Sequence, residues 1–516
     1  MTAANCILAR LFEKKAILLR IGEIWAKVQG ALFRLRKVLI GIVIVCLGAL
    51  LGFLFVSPES AELTISVLVI LAVMLIIIRK PLHGVLLWLM LEPFIESWVN
   101  IRMGAGLPDL SFSRFIIAFL AIFMLARAAV GKFQFAPIGL ADVCIVAMTV
   151  GLMTSAPLAV SPNGMIQTAI SLYFTPLVVY FFAKNLVRDE EDLRKLLLAI
   201  VIFGVAAALY AIYEQATGNI LFLGRGGVAD KLGTAYTQNL RLIRGLLGRS
   251  GNFARVLISS IPITFYLFFE SKSPTRRILW VAMLAVQIYG VFLTYNRTSW
   301  LSLLISLSIL QFFYPQFRKA YFVIVFVAAI VLWATWDQVN ESAVVEERVN
   351  SKDSTLEGRQ ALWVAGYNMW RAKPIRGWGF GRYQRESGRF RADGEHRNFT
   401  AIENDYLHLL VGSGLVGFLP YLFFLLMPLV NSVRLFFRAR APDWPGFVKA
   451  ETIAVYWAVI LSFAIGSYTQ IQNQPIVKMI PFALAGAVVG THEFGLRRRV
   501  AERCATDAIP VVVAGE

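Results

Sequence analysis

Apolar runs of about the length of a membrane-spanning helix recur along nearly the whole chain. A bilayer core of about 30 Å requires about 20 apolar residues per helix. Because 58% of the 516 residues are hydrophobic, we predict an all-α polytopic integral membrane protein with about 12–14 transmembrane helices. The fourteen candidate spans are 38–57, 61–78, 82–99, 112–130, 138–159, 165–184, 195–215, 251–270, 277–295, 298–314, 320–337, 404–433, 450–470 and 475–493.

The basic residues give the chain a formal net charge of +18. They fall in short clusters between the apolar runs and not in one patch, which argues against a nucleic-acid partner. Lys and Arg concentrate in cytoplasmic loops of membrane proteins. With the N-terminus inside, the clusters that close loops all fall on the inner side: 79–80, 127–132, 184–195, 272–277, 318–319, 434–440 and 497–499.

This orientation divides the chain into five regions. Residues 1–37 are predicted to form a basic amphipathic helix on the inner membrane surface, with a disordered basic tail as the alternative. An N-terminal transmembrane bundle follows over 38–337, and a large external loop over 338–403. Residues 404–496 form the C-terminal transmembrane helices, and 497–516 a cytoplasmic tail.

Arginine is unexpectedly frequent on the predicted outer side. A guanidinium group stays charged and binds phosphate in a bidentate manner, so this excess points to a phosphorylated lipid or substrate. Ordinary solvated arginines of a soluble subdomain are the alternative. That alternative is weaker for Arg244 and Arg297, which lie against apolar segments. The outer arginines are Arg225, Arg241, Arg244, Arg249, Arg255, Arg297, Arg348, Arg359, Arg371, Arg376 and Arg382.

Three motifs follow one another on the predicted outer face. The first, 244–254, leads into a helix. The second, 293–300, places Arg297 at a tight hairpin, and the third is the large loop from Arg359 to the segment 403–407. Over about residues 200–435 this arrangement resembles the O-antigen ligase and polymerase superfamily of bacterial envelope glycosyltransferases.

The resemblance implies a reaction and its partners. Members transfer a glycan from an undecaprenyl-diphosphate carrier to a hydroxyl acceptor, in the bacterial inner membrane with the active site facing the periplasm. They use no nucleotide sugar, metal or other cofactor. The implied partners are the lipid-linked oligosaccharide, a glycan or lipid A-core acceptor and membrane lipids, with a chain-length regulator as a further candidate. The resemblance places Arg244 and Arg297 on the diphosphate, and Arg359 as a third member.

The acceptor hydroxyl requires a base, and Glu403 is the first candidate. Many family members have a His-Asn pair where this chain has Glu403-Asn404, and the acidic residue resembles the exopolysaccharide polymerases more than the lipopolysaccharide ligases. His396 and His408 are alternative bases, and a structural role for all three stays open. We therefore predict polymerisation of repeat units of an exopolysaccharide or O-antigen, with ligation to lipid A-core as the alternative. The remaining predicted substrate-binding residues are Arg249, Asn404, His396 and Tyr406.

Three glycines, Gly377, Gly379 and Gly381, form a pattern that also occurs in nucleotide-binding loops. The sequence shows neither a preceding Rossmann unit nor a following Gly-Lys-Ser/Thr. We interpret the glycines as a turn that closes the loop subdomain.

Two other functional classes compete with glycosyl transfer. A lipid flippase or transporter suits the many helices, but it favours mid-span acidic residues and inverted halves, and the sequence shows no repeat. A structural partner of a polysaccharide export complex would tolerate changes at Arg244, Arg297 or Glu403.

Overall fold

The computed structural model is helical over nearly all of the residues it describes. These are 58–96, 100–101, 109–218, 243, 245–294, 296–334, 356–392, 398–399, 401–441, 446–469 and 474–507. The strand content among them is one antiparallel pair, β1 (Asn100–Ile101) and β2 (Leu110–Ser111). The chain divides into two units, residues 1–69 and 70–516.

The helices follow the order of the predicted spans. They are α1 (Pro58–Arg79), α2 (Pro81–Ile95), α3 (Phe112–Ala129), α4 (Leu140–Ser155), α5 (Pro162–Ala169), α6 (Thr175–Leu186), α7 (Glu190–Thr217), α8 (Ser250–Glu270), α9 (Pro274–Leu293), α10 (Arg297–Phe313), α11 (Pro315–Ala334), α12 (Leu356–Ala372), α13 (Tyr383–Glu386), α14 (Asp405–Ala439), α15 (Ala450–Thr469) and α16 (Pro475–Asp507). Short 3-10 turns occupy Ala156–Leu158, Gly245–Leu247 and Ser387–Phe390.

Within the described part of the chain, nine helical segments are long and apolar enough to cross a membrane, and three shorter apolar helices accompany them. The predicted all-α polytopic fold is therefore confirmed. Some bounds differ from those predicted: α2 ends at Ile95, and α14 continues to Ala439. The predicted span 38–57 lies outside the described residues.

Helix starts coincide with capping side chains in the sequence. The Asp189 carboxylate accepts a hydrogen bond from the Asp192 amide at 2.7 Å, at the start of α7. Asn296 caps α10 through the Ser299 amide at 3.2 Å, and α2 begins with a proline, Pro81. Such residues satisfy or remove amide donors that a helix leaves unpaired at its N-terminus.

Glycines permit the closest helix contacts. A side chain at Gly486 or Gly490 of α16 would lie within 2.3 Å of carbonyl oxygens of α6, and one at Gly151 of α4 would lie 2.5 Å from the Val416 carbonyl of α14. Small residues allow backbones to approach this closely in membrane helices. The pairings of α6 with α16 and of α4 with α14 are the most extensive in the structure.

One span is interrupted by a π-helical turn. Residues Ile170–Phe174 join α5 to α6, whose second residue is Pro176. A π turn shifts the side chains that follow it around the helix axis and is frequent at functional sites. Here the turn contains Tyr173, which is buried.

Candidate active site

The segment between α12 and α14 folds around its own small apolar core. The buried Tyr383 hydroxyl donates to the Leu362 carbonyl at 2.9 Å, and the Trp378 indole donates to the Met369 carbonyl at 2.6 Å. Burial raises the pKa of the Tyr383 phenol, so the group stays neutral at physiological pH. The core consists of Met369, Tyr383, Ile402 and Val411, with Trp363, Trp370, Trp378, Phe390, Phe399 and Leu407 packed against it.

The segment that contains Gly377 and Gly379 forms backbone hydrogen bonds with α14 where that helix is interrupted. Gly414 has φ +62° and ψ −163°, which interrupts the helix. The Trp378 and Gly379 amides donate to the carbonyls of Val411 and Gly412 at 2.8 and 2.9 Å, and the Leu415 amide donates to the Pro374 carbonyl at 2.9 Å. These bonds occupy backbone groups that the break would otherwise leave unpaired.

The same segment is also attached to the end of α4. The Ser155 hydroxyl donates to the Arg376 carbonyl at 2.8 Å, and the Arg376 guanidinium donates to the Thr154 carbonyl at 2.6 Å. Gly379 approaches Ala159 so closely that a Cβ there would lie 2.3 Å from its amide nitrogen. Gly379 thus permits the close approach of this segment to the end of α4.

Glu403 lies at the turn where this subdomain enters α14. Its φ is +53°, and among the described residues it is the only non-glycine residue with a positive φ. Asn404 is the N-cap of α14, and its side-chain oxygen accepts from the Leu407 amide at 3.0 Å. A left-handed conformation is costly for a side chain larger than glycine, and such residues concentrate at functional sites. The cap and the turn together fix where the Glu403 carboxylate projects.

The first motif contacts this turn through Arg249. The guanidinium lies 4.0 Å from the Glu403 carboxylate, and the two side chains are 54% and 30% exposed, so both remain accessible to a ligand. Gly245 has φ +60°, and its amide donates to the buried Glu214 carboxylate at 3.0 Å. Arg249 is the N-cap residue of α8. The motif thus positions an arginine beside the candidate base.

Two residues after Glu403, Asp405 forms a buried ion pair with Lys478. The Lys478 ammonium is 2.9 Å from the Asp405 carboxylate, and neither side chain is more than 1% exposed. The ammonium also lies 3.9 Å from the centroid of the Tyr173 ring, a cation–π contact that the π turn makes geometrically available.

A third buried charge, Arg255, belongs to the same cluster. Its guanidinium donates to the Gly466 carbonyl of α15 at 2.5 Å, and a Cβ at Gly466 would lie 2.6 Å from its Nε. Arg255 interacts electrostatically with Asp405 and, more weakly, with Glu403. Two buried cations thus share one buried carboxylate close to Glu403.

The structure describes the other predicted site residues to different extents. Arg244 and His396 lie outside the described residues, and for Arg297 the structure describes only its place as the first residue of α10. Arg359 lies on α12 and is partly exposed. The Tyr406 hydroxyl donates to the Ala464 carbonyl at 3.4 Å, and the His408 ring stacks on Phe380 with centroids 4.9 Å apart.

The sequence interpretation did not single out Lys478, Asp405 or Arg255 as a group. A lone lysine within an apolar run was the available signal, since such a charge needs a partner. Its partner lies 73 positions earlier in the sequence, on another helix. Within the described part of the chain, no three His, Cys, Asp or Glu side chains lie close enough to hold a metal ion.

Comparison with known proteins gives two matches. An uncharacterized protein of Haemophilus influenzae is 22% identical over 344 residues, which covers 61% of this chain and 84% of that protein. Residues 281–422 match the family model described as O-antigen ligase. That range contains the second and third motifs and the Glu403 turn. The match confirms the predicted superfamily for residues 281–422, and the described helices fit a multi-pass membrane protein. The same match supports a role in glycan transfer during polysaccharide assembly.

Proposed function

We propose that this protein polymerises lipid-linked repeat units of an exopolysaccharide or O-antigen. In the proposed reaction, a sugar hydroxyl attacks the anomeric carbon of a glycan on undecaprenyl diphosphate. The bond from that carbon to the phosphate oxygen breaks, the diphosphate leaves with the bonding electrons, and Glu403 accepts the hydroxyl proton. A single displacement of this kind inverts the configuration at the anomeric carbon.

The observation that carries the proposal is the contact of Glu403 with Arg249 at 4.0 Å, close to the buried cluster of Lys478, Asp405 and Arg255. A base must lie within hydrogen-bonding reach of the proton it accepts, and the strained turn presents a partly exposed carboxylate. The geometry therefore supports Glu403 over His408, whose ring is stacked on Phe380.

The leaving diphosphate requires positive charge that is already in place, since preorganised charge stabilises a transition state most effectively. We assign this role to Arg244 and Arg297, with Arg359 as a third member and Arg249 nearest the base. Asn404, Tyr406 and His396 complete the proposed substrate-binding set. Arg255 and Lys478 contribute from behind by their charge, because both are buried.

Polymerisation is favoured over ligation by the identity of the candidate base. The chain has Glu403-Asn404 where many members of the superfamily have His-Asn, and an acidic residue there resembles the exopolysaccharide polymerases. The glutamate carries the turn strain itself, which supports a specific role for this side chain. The proposed location is the bacterial inner membrane, with Glu403 facing the periplasm.

The test is reconstitution of the purified protein in liposomes with a synthetic undecaprenyl-diphosphate repeat unit, in the presence of EDTA. A ladder of glycans on a gel, absent with Arg297→Ala, supports a metal-independent polymerase. Transfer that starts only when lipid A-core is added supports a ligase instead. No transfer to either acceptor, with a donor shown to be intact, contradicts the proposal and favours the transporter class.

A further inference from the structure

A second charged concavity lies at the other end of α7 from the Glu403 turn. It has a volume of about 320 Å³, within the size range of small-ligand sites. Asp192, near the start of α7, lines it, whereas Glu214, near the end of the same helix, bonds the motif that contains Arg249. These two residues are separated by about 33 Å along the helix axis at 1.5 Å per residue.

Three separate parts of the chain bring basic side chains to this concavity: the junction of α1 and α2, the end of α3, and the junction of α6 and α7. Two carboxylates oppose them, since Lys195 pairs with Asp192 of the lining at 3.5 Å and with the neighbouring Glu191 at 2.9 Å, and the lining still has an excess of positive charge. The basic side chains are Lys80, His83, Arg127, Lys132, Arg188 and Lys195. The positive-inside preference acts on each loop separately. It does not by itself require the basic residues of different loops to line one concavity.

Arg188, one of the lining residues, is held in place by several contacts. Its guanidinium donates to the carbonyls of Gln134 at 2.8 Å and Asn185 at 3.1 Å, and it lies 4.5 Å from the centroid of the Phe133 ring. Burial and then the charge of Arg127 lower the pKa of Arg188. The basic groups therefore repel one another, and a bound anion would relieve that repulsion.

The surface beside the concavity is suited to lipid. On α3, Ile122 and Leu125 are 67% and 61% exposed, and Val130 directly after the helix is 70% exposed. Apolar side chains this exposed on a membrane helix face hydrocarbon, and basic pockets between such helices on the cytoplasmic side bind anionic headgroups. The concavity thus combines a place for a phosphate with a neighbouring surface for acyl chains.

We infer that this concavity is a phosphate-binding site, occupied by the headgroup of an anionic phospholipid in the predicted cytoplasmic leaflet. A soluble phosphate compound offers the same chemistry to the basic side chains, and the experiment below separates the two sources. The site is independent of glycan transfer, because none of its residues belongs to the candidate active site.

The test measures binding of a fluorescent short-chain phosphatidylglycerol to the full-length protein in phosphatidylcholine nanodiscs. The double substitution Arg127→Gln and Lys132→Gln removes two lining cations. The matched control, Lys272→Gln and Arg276→Gln, removes two exposed cations on the same predicted side, one just before α9 and one in its first turn. Each basic residue near an anionic surface contributes roughly a factor of five to binding, so we expect about 30-fold weaker binding for the first variant and little change for the control.

A second arm adds inorganic pyrophosphate to the same nanodiscs. Failure of pyrophosphate to compete supports the lipid headgroup, whereas tight pyrophosphate binding that the double variant loses supports a soluble phosphate at the same site. Equal affinities of the double variant and its control for both probes would overturn the proposal. Because Arg127 lies in the last turn of α3, the milder Lys80→Gln, at an exposed residue, repeats the test with an expected loss of about fivefold.

Discussion

Lys478 and Asp405 form a buried ion pair, and we predict that substituting each residue lowers the free energy of unfolding by a different amount. Their charged atoms are 2.9 Å apart and nearly inaccessible to solvent. Removing one member of a buried pair typically costs 3–5 kcal/mol, because the other charge is left uncompensated. Here the third charge, Arg255, decides which removal is worse.

Lys478→Met leaves Asp405 with Arg255 as a remaining cation, so we expect a loss of unfolding free energy near 3 kcal/mol. The lost contact with the Tyr173 ring is included in that figure. Asp405→Asn leaves two buried cations without their carboxylate and removes an acidic residue from the start of α14. We therefore expect the asparagine variant to lose about 5 kcal/mol.

The double variant, Lys478→Met with Asp405→Asn, completes a thermodynamic cycle. Because it leaves neither member of the pair unpaired, its loss should fall at least about 2 kcal/mol short of the sum of the single losses. Unfolding by SDS titration in mixed micelles measures all three variants, with the exposed Lys272→Met as a control. Additivity within about 0.5 kcal/mol would refute the reasoning, since it would mean that the two charges do not interact.

Further predictions concern the loop subdomain and its arginine. Gly377→Ala should destabilise the protein by at least about 2 kcal/mol, because its φ is +67° and a Cβ would lie 2.6 Å from backbone atoms of α14. Gly131→Ala should cost only about 1 kcal/mol, because Gly131 has a similar φ of +72° but open space around it. Thermal unfolding in detergent compares the two, and equal shifts would contradict the packing argument. Tyr383→Phe should cost about 1 kcal/mol by removing the bond to the Leu362 carbonyl, and an unchanged melting temperature would show that this bond is not needed. Arg249→Ala should leave the melting temperature nearly unchanged, because an exposed ion pair contributes at most about 1 kcal/mol, yet it should slow glycan transfer at least tenfold in the liposome assay. A variant that transfers at the normal rate would remove Arg249 from the site.

Much of the fold could be predicted because the bilayer imposes one simple length requirement. Each apolar run had to form a helix, and the helices of the described residues follow the predicted order. The break in α14 at Gly414 could not be predicted, since it depends on backbone bonds donated by Trp378 and Gly379. Glycine is common in membrane helices, so its presence alone does not indicate an interruption.

Only those residues of the candidate site that belong to local sequence motifs could be predicted. Glu403 and Arg249 stand out because polar residues adjoin apolar helices on the predicted outer face. Lys478 does not, and Arg255 stands out only as one of many outer arginines, because the role of both comes from a tertiary arrangement of α8, α14 and α16 with the π turn at Tyr173. The left-handed conformation of Glu403 could not be predicted either, because glutamate rarely adopts a positive φ.

The most direct measurement for the central claim is the single-turnover rate of glycan transfer by Glu403→Gln. Proton acceptance by a positioned base contributes about 10²–10⁴-fold to a rate, so we expect a loss in that range with donor binding retained. Glu386→Gln is the matched control, a carboxylate of the same subdomain that pairs with Arg389 at 2.8 Å, and it should transfer at nearly the normal rate. If Glu403→Gln transfers within about threefold of the unsubstituted protein, Glu403 is not the base and the proposed mechanism is wrong.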